Sequence, residues 1–371
     1  MKFIAQIRPL QETLGKVIAV IPARSTLPQL ETVLVELQGD ELKFTGTDLE
    51  ITVAATLQVS GVSDGTANIP AKLFYEIVRA LPEGELTFTL DKTTHRAQFQ
   101  TQQGNYQLSV DETAQLPNAI GDFKAEGSLS FDARTLKRLI SKTLFAVSTD
   151  ELRPSMMGVL FQFSPDGIRA VATDGFRLVR LFNTMLKTDS ELDIIIPAKA
   201  LNLVAKSYDD KDILTVGFSS THVQFQSGST NVLSRLIDER YPNYEAVIPR
   251  ENDKQLLISK EVMLRSVKRV SIFANSNTRQ LKFQLAKDRM SILAENFDVG
   301  NEAHEFIPCD YSNDDLTIGF NGRLIEDALS HLDTDEISLK FSTPTRAVIV
   351  EPVTQEGEDL LMLVMPIRLN G

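Results

Sequence analysis

The 371 residues hold four histidines and one cysteine, and none stands at a spacing that makes a catalyst or a metal site. His304-Glu305 in NEAHEF lacks the second histidine one helical turn on that zinc hydrolysis needs, and its alternating context reads as a strand. His95, His222 and His331 have no Ser, Cys or carboxylate set nearby for a triad. Cys309 alone can close no internal disulfide and furnish no cysteine-rich zinc site. No phosphate loop of the GxxxxGKS or GxxxxGKT type, no GxGxxG after a strand and no HExxH occurs. Asp48, Asp174 and Glu295 resemble a carboxylate trio for acid–base work, but they recur at one equivalent place in a repeat and read as turn or bulge residues of three separate domains. The expectation is a binding or scaffold protein, not an enzyme, with no metal and no cofactor.

The repeat that spaces those acids organises the whole chain, because four landmarks recur in the same order at intervals near 125 residues. A short strand runs into an amphipathic helix at FIAQIRPLQETL, LSFDARTLKRLI and LLISKEVMLRSV, with Leu10, Leu136 and Leu264 equivalent. An alternating strand breaks at Asp48, Asp174 and Glu295. An apolar strand then opens a helix at Pro70, Pro197 and Asn321, residue types suited to a first turn or an N-cap. A proline closes each copy in Leu116-Pro117-Asn118, Tyr241-Pro242-Asn243 and Met365-Pro366-Ile367. Between landmarks, period-2 segments such as ELTFTLD, YQLSVDE and HVQFQSG predict half-exposed antiparallel strands. The fold class expected is α+β: three tandem copies, each of roughly eight strands and two helices. The polar stretches 121–128 and 249–255 place the domains at 1–122, 128–249 and 254–371.

The net charge of −12 argues against a nucleic-acid binder until its distribution is read. The six helical segments carry +10, which leaves −22 on everything else. The charge is also phased. Arg134, Lys137, Arg138 and Ser141 oppose Leu136, Leu139, Ile140 and Thr143; Arg265, Lys268 and Arg269 oppose Met263, Val267 and Val270; Lys199, Asn202 and Lys206 oppose Leu201, Val204 and Ala205. Basic helices on an acidic body suit a surface that attracts phosphate backbone without reading bases, and the absence of interleaved aromatics disfavours single-strand stacking. An oligomeric scaffold whose helices bind an acidic protein is the alternative. No run of 18 apolar residues and no signal-peptide pattern is present, so the expected location is the cytoplasm, with no membrane partner.

RSTLPQLETVLVEL (24–37), GTDLEI (46–51), IPAK (69–72), ALPEGE (80–85), ATDGFRL (172–178), RYPNYEAVIP (240–249), GFN (319–321) and VMPIRL (364–369), together with the triplication, resemble the bacterial β sliding clamp, the processivity subunit of DNA polymerase III. The resemblance spans essentially the whole chain. It implies a head-to-tail homodimeric ring around duplex DNA, held without sequence readout, with the helices lining the hole and the sheets outside. The implied partners are the polymerase III catalytic subunit, a clamp loader and other proteins carrying a clamp-binding motif. Added to the phased charges, it points to DNA contacts at Arg24, Arg79, Arg134, Lys137, Arg138, Lys199, Lys206, Arg265, Lys268 and Arg269. It implies a dimer interface of Tyr106 and Leu108 against Ile272 and Phe273. It implies a partner-peptide pocket drawing on Met156, Thr173, Gly175, Phe176, Arg177, Leu178, Pro242, Val247, Asn321, Leu324, Val364, Met365, Pro366, Ile367 and Arg368. Phe176, Leu324 and Ala246 depart from the commonest family residues and make that pocket more apolar.

Overall fold

The computed structural model describes residues 1–91, 93–110, 123–188 and 191–369. The first closing proline, Leu116-Pro117-Asn118, and the predicted boundary at 121–122 lie outside the described residues. The first repeat runs β1 (Lys2–Gln6), α1 (Ile7–Ile18), β2 (Thr32–Gln38), β3 (Glu41–Thr47), β4 (Ile51–Gln58), β5 (Ser60–Ser63), β6 (Gly65–Pro70), α2 (Ala71–Ala80), β7 (Glu85–Asp91), β8 (Arg96–Gln100) and β9 (Asn105–Ser109). The second runs β10 (Gly127–Asp132), α3 (Ala133–Thr143), β11 (Gly158–Ser164), β12 (Gly167–Thr173), β13 (Arg177–Asn183), β14 (Leu192–Pro197), α4 (Ala198–Ser207), β15 (Ile213–Phe218), β16 (His222–Ser227) and β17 (Thr230–Arg235). The third runs β18 (Lys254–Ser259), α5 (Lys260–Ser271), β19 (Gln280–Ala286), β20 (Arg289–Asn296), β21 (Asn301–Pro308), β22 (Leu316–Asn321), α6 (Gly322–Ser330), β23 (Glu336–Phe341), β24 (Val348–Pro352) and β25 (Glu358–Val364).

The chain forms two compact units, residues 1–137 with 199–236 and residues 138–198 with 237–371. These units cut across the repeats because strands pair between neighbouring copies. In the first unit, β17 of the second repeat joins β4 of the first, with Val232 opposite Val53, and completes the antiparallel sheet β10-β15-β16-β17-β4-β3-β2-β6. In the second unit, β25 of the third repeat joins β13 of the second, with Met362 opposite Val179, and completes β14-β11-β12-β13-β25-β24-β23-β18. Each unit also holds one smaller sheet, β5-β1-β7-β8-β9 in the first and β21-β20-β19-β22 in the second.

Alternation decides which face of each strand is buried. In β2 the residues Val33, Val35 and Leu37 point inward, and α1 answers with Ile7, Leu10, Leu14 and Val17 at helical spacing. Gly46 lets α1 lie close on β3, since a Cβ there would stand 2.8 Å from Ile21 and 2.9 Å from Val17. A chain of rings ties both sheets of the first unit to α2: Phe3 stacks on Phe88 at 4.8 Å, Phe88 meets Phe99 at 5.2 Å, Phe99 meets Phe74 at 5.2 Å, and Phe74 meets Phe44 at 6.3 Å. Pro70 and Pro197 end their strands one position before the helix and do not occupy its first turn, whereas Asn321 caps α6 by accepting from the Arg323 N–H at 3.0 Å.

The acids of the second landmark build a shared turn in two repeats. Asp48 Oδ1 accepts from the N–H groups of Glu50 and Ile51, and Thr47 Oγ1 from that of Leu49. Asp174 Oδ1 accepts from Phe176 and Arg177, and Thr173 Oγ1 from Gly175. The third turn residue has positive φ in both, +79° at Leu49 and +89° at Gly175, a geometry glycine takes freely and leucine does not. Glu295 departs from the expectation of a turn or bulge. It stays in the β20 ladder opposite Glu302, and the third repeat turns through Phe297–Gly300.

Candidate functional site

The helices of the first unit present the predicted basic residues beside a groove of about 1070 Å³ between α1 and α4. Lys16, Lys199, Lys206 and Asn202 line it, as do Glu12 and Asp209. Lys199 is held by Asp48, and Lys137 reaches Asp210 at 2.8 Å, a contact that holds the Asp210 carboxyl below the usual range. Arg24, Arg79, Arg134 and Lys206 are exposed and ion-pair with no carboxylate among the described residues. Lys16 was not among the sequence candidates. Its Nζ lies 3.3 Å from Thr230 Oγ1, and its spacing of 126 from Lys142 was the signal that could have found it.

In the second unit the basic residues are more fully neutralised. Arg138 donates through Nε to Glu358 at 2.7 Å and through Nη1 to Asp333 at 2.9 Å. Lys142, also missed, is buried with its Nζ 2.7 Å from Asp333 and 2.6 Å from the His331 carbonyl. Burial pulls the Asp333 carboxyl up, but the hydrogen bonds from Lys142 and Arg138 outweigh it and hold the group below its ordinary range. On α5, Arg265 pairs with Glu261, Lys268 with Glu326 at 3.8 Å, and Arg269 with Glu305 at 2.6 Å. The Arg269 hydrogen bonds keep the Glu305 carboxyl low. Arg138 is therefore a structural cation first, and any phosphate would compete with two carboxylates for it.

The predicted peptide-pocket residues fall in the second unit, and part of the set is brought together. Arg177 is clamped by Asp174 at 3.0 Å, by Asp327 of α6 at 2.6 Å and by the Phe145 carbonyl at 2.6 Å, with its guanidinium 5.2 Å from the Phe145 ring centre. The Met365 N–H donates to the Phe176 carbonyl at 2.8 Å, and Ile367 bridges to Gly319 beside the Asn321 cap. Phe176, Met365, Val247, Pro242 and Arg368 are exposed, while Leu324, Pro366 and Ile367 are half-buried. The Met156 methyl lies 3.7 Å from the Cβ position of Gly175. Met156 and Thr173 are themselves buried, and the more complete corrections are Leu178 and Val364. Leu178 belongs to a core cluster with Val171, Leu361 and Leu363 beneath Tyr241 and Tyr244, and Val364 is buried in β25, so these two can support a pocket but not line it.

The predicted interface residues also divide. β9 and β21 are edge strands, each with one side of its backbone unpaired by its own sheet. Tyr106 on β9 is exposed, but Leu108 faces inward opposite Ala97 and is only 7% exposed, so it is a core residue and not an exposed anchor. Ile272 and Phe273, just past α5, are 77% and 40% exposed. By the helix register, with α3 starting at Ala133 and α5 at Lys260, Ile272 matches Phe145, which in the second unit is stacked at 3.8 Å on His331 of the following repeat. Phe297, Val299 and Phe306 around β21 are also exposed and were not singled out by sequence. Among the described residues no cluster suited to hold a metal ion occurs, and no helix is long and apolar enough to cross a membrane.

The N-terminal, central and C-terminal domains of the DNA polymerase III beta subunit family match residues 1–119, 130–243 and 245–368. A beta sliding clamp of Haemophilus influenzae is 30% identical over 98% of this chain and 97% of its own length, and one of Proteus mirabilis is 29% identical over the full length of both. Among solved structures, the Bartonella birtlesii clamp with griselimycin bound has a TM-score of 0.93 at 27% identity, covering 100% of both chains. On its three successive domain matches and these full-length relatives, the chain belongs to the DNA polymerase III beta subunit family, the beta sliding clamps.

Proposed function

We propose that two copies of this chain, each made of domains 1–122, 128–249 and 254–371, join head to tail into a ring that encircles duplex DNA and tethers the replicative polymerase. The observation that carries this reading is the pair of unfinished junctions. The strand after the second-landmark turn is β4, β13 or β21, and the last strand of a repeat is β9, β17 or β25. β4 takes β17 and β13 takes β25, which leaves β21 and β9 as the matching pair without a partner among the described residues of their own chain. A second copy supplies both, and a heterologous contact that closes after two copies makes a ring with no exposed seam. The internal register carries over. Tyr106 faces Phe99 as Val232 faces Phe225, and Val232 faces Val53, the third residue of its strand. Ala303 holds that place in β21, so Tyr106 of one copy meets Ala303 of the other.

Phosphate attraction by the ten predicted basic residues is weak and sequence-independent in this reading, because six of them already share carboxylates within the chain, and among the described residues Arg24, Arg79, Arg134 and Lys206 are the four of that set that have none. Such a surface permits sliding, and topology supplies retention. The clamp acts by binding and not by catalysis, in the cytoplasm, and is loaded by a separate ATP-driven protein. Polymerase and other partners dock short peptides on the exposed Phe176, Val247 and Met365, with Arg177 and Arg368 at the rim. An apolar patch with a few polar groups suits apolar peptide anchors, and methionine adapts to several of them. Arg368→Ala, or deletion of the last five residues, is expected to weaken a fluorescent partner peptide at least tenfold with the dimer intact. Unchanged peptide affinity would overturn the docking surface, and a native protein that sediments as a monomer at micromolar concentration would overturn the ring.

A further inference from the structure

We infer that the tip of the β20–β21 hairpin, Phe297 with Val299, seats on Leu73 of a second copy and acts as an apolar clasp on the closed junction; the inference rests on the head-to-tail reading above. Phe297 is 87% exposed and Val299 64% exposed. Asn275 Nδ2 donates to Asp298 Oδ2 at 2.9 Å, which ties the tip to the segment after α5 and presents both apolar side chains outward. The first two repeats indicate what such a turn meets. The turn after β3 puts Asp48 on Lys199, the second residue of α4 in the next repeat. The turn after β12 leads into Arg177, which reaches Asp327 on α6 of the next repeat at 2.6 Å. In both, the turn of one repeat engages the second helix of the repeat that follows.

The third repeat has no successor in its own chain, so the second helix it would engage is α2 of another copy. With Pro70 matched to Pro197, Lys72 takes the place of Lys199 and Leu73 that of Ala200. Ala200 is buried and Leu324, its counterpart on α6, is half-buried, yet Leu73 is 47% exposed. The chemistry changes together on both sides. Asn296 holds the place of Asp48 and Asp174 without their charge, the longer turn beyond it adds Phe297 and Val299, and the helix offers a leucine. Lys72, Glu76 and Asp298 remain as a charged rim.

The test uses full-length protein in sedimentation velocity across a concentration series, with Val299→Glu, Leu73→Lys and the two combined. All the altered side chains are exposed, so unchanged thermal melts are expected and serve as the folding control. Each single substitution is expected to weaken the dimer at least tenfold, and the combination to return it to within about threefold of native, because a glutamate–lysine pair replaces the apolar contact across copies. Single variants with native dimer affinity, or a combination whose losses simply add, would overturn the clasp while leaving the dimer standing. A monomeric native protein would overturn the head-to-tail reading itself.

Discussion

Replacing Ile272 and Phe273 together by alanine probes the junction where the energetics can be worked from exposure. Burying an isoleucine or phenylalanine side chain in full is worth about 1.5–3 kcal/mol. Ile272, at 77% exposed, has most of that still to gain, and Phe273, at 40%, has under half. Phe145, which holds the place of Ile272 in the second repeat, gives the precedent for how that position is covered, stacked 3.8 Å from His331 of the next repeat. Alanine retains part of the contact, so the loss comes to about 2 kcal/mol at one junction. A two-copy ring has two identical junctions, which doubles it to about 4 kcal/mol, or on the order of 1000-fold in the dimer constant. Mass photometry and sedimentation over nanomolar to micromolar protein would read this as a dimer turned monomer. The thermal melt of the separated chain should move little, because neither side chain supports its own core. A double variant that dimerises within tenfold of native would refute both the pseudo-symmetric argument and the pairing drawn from it.

Three further outcomes follow from the same geometry. The register that sets Tyr106 against Ala303 also sets Gln107 against Glu302 on the outer face, so Gln107→Cys with Glu302→Cys should form an intersubunit disulfide under mild oxidation; efficient crosslinking of Gln107→Cys with His304→Cys instead would mean a shifted register. Arg134→Ala or Lys206→Ala should each lower the slope of log affinity against log salt for duplex DNA by about one, while Arg138→Ala should lower it less, since Glu358 and Asp333 already hold that charge; anisotropy over a salt series distinguishes these, and equal slopes for all three would contradict the ion-pair accounting. The Asp333 carboxyl is held below its ordinary value, so the stability it contributes is fully present above the unfolded value near 3.9 and is lost as pH falls through the folded one. Native protein should therefore melt higher than Asp333→Asn at pH 7, with the gap narrowing once pH falls below the unfolded carboxyl value of about 3.9; a gap that does not change with pH would separate the effect from the Lys142–Asp333–Arg138 network.

The three repeats were legible because local rules write them: alternation, an amphipathic helix with Leu10 or Leu136 on its buried face, where the third repeat carries Met263 and not the expected Leu264, and an asparagine cap at Asn321. What escaped the sequence was pairing at long range. Nothing in TNVLSR says that it lies beside ITVAATLQ, some 180 residues earlier, and so the compact units do not follow the repeats. Leu108 was misplaced for a related reason, since alternation fixes that every second residue shares a face but only the register with β8 says which face is the core. The basic stripes were correctly phased, yet their neutralisation was invisible, because Glu358 lies 220 residues from Arg138 in sequence. Glu295 failed as an equivalent of Asp174 because the strand register sets it at the place of Thr173; Asn296 stands where Asp174 does, and its Oδ1 accepts from the Asp298 N–H as that of Asp174 does from Phe176.

The central claim is a topological link between ring and DNA, and retention on a circle tests it most directly. Purified protein loaded onto nicked circular duplex by a clamp loader with ATP should co-elute with the DNA through gel filtration, and a single restriction cut should release it as it slides off the ends. Protein that stays bound after linearisation would contradict encirclement and point instead to direct adhesion of the basic helices.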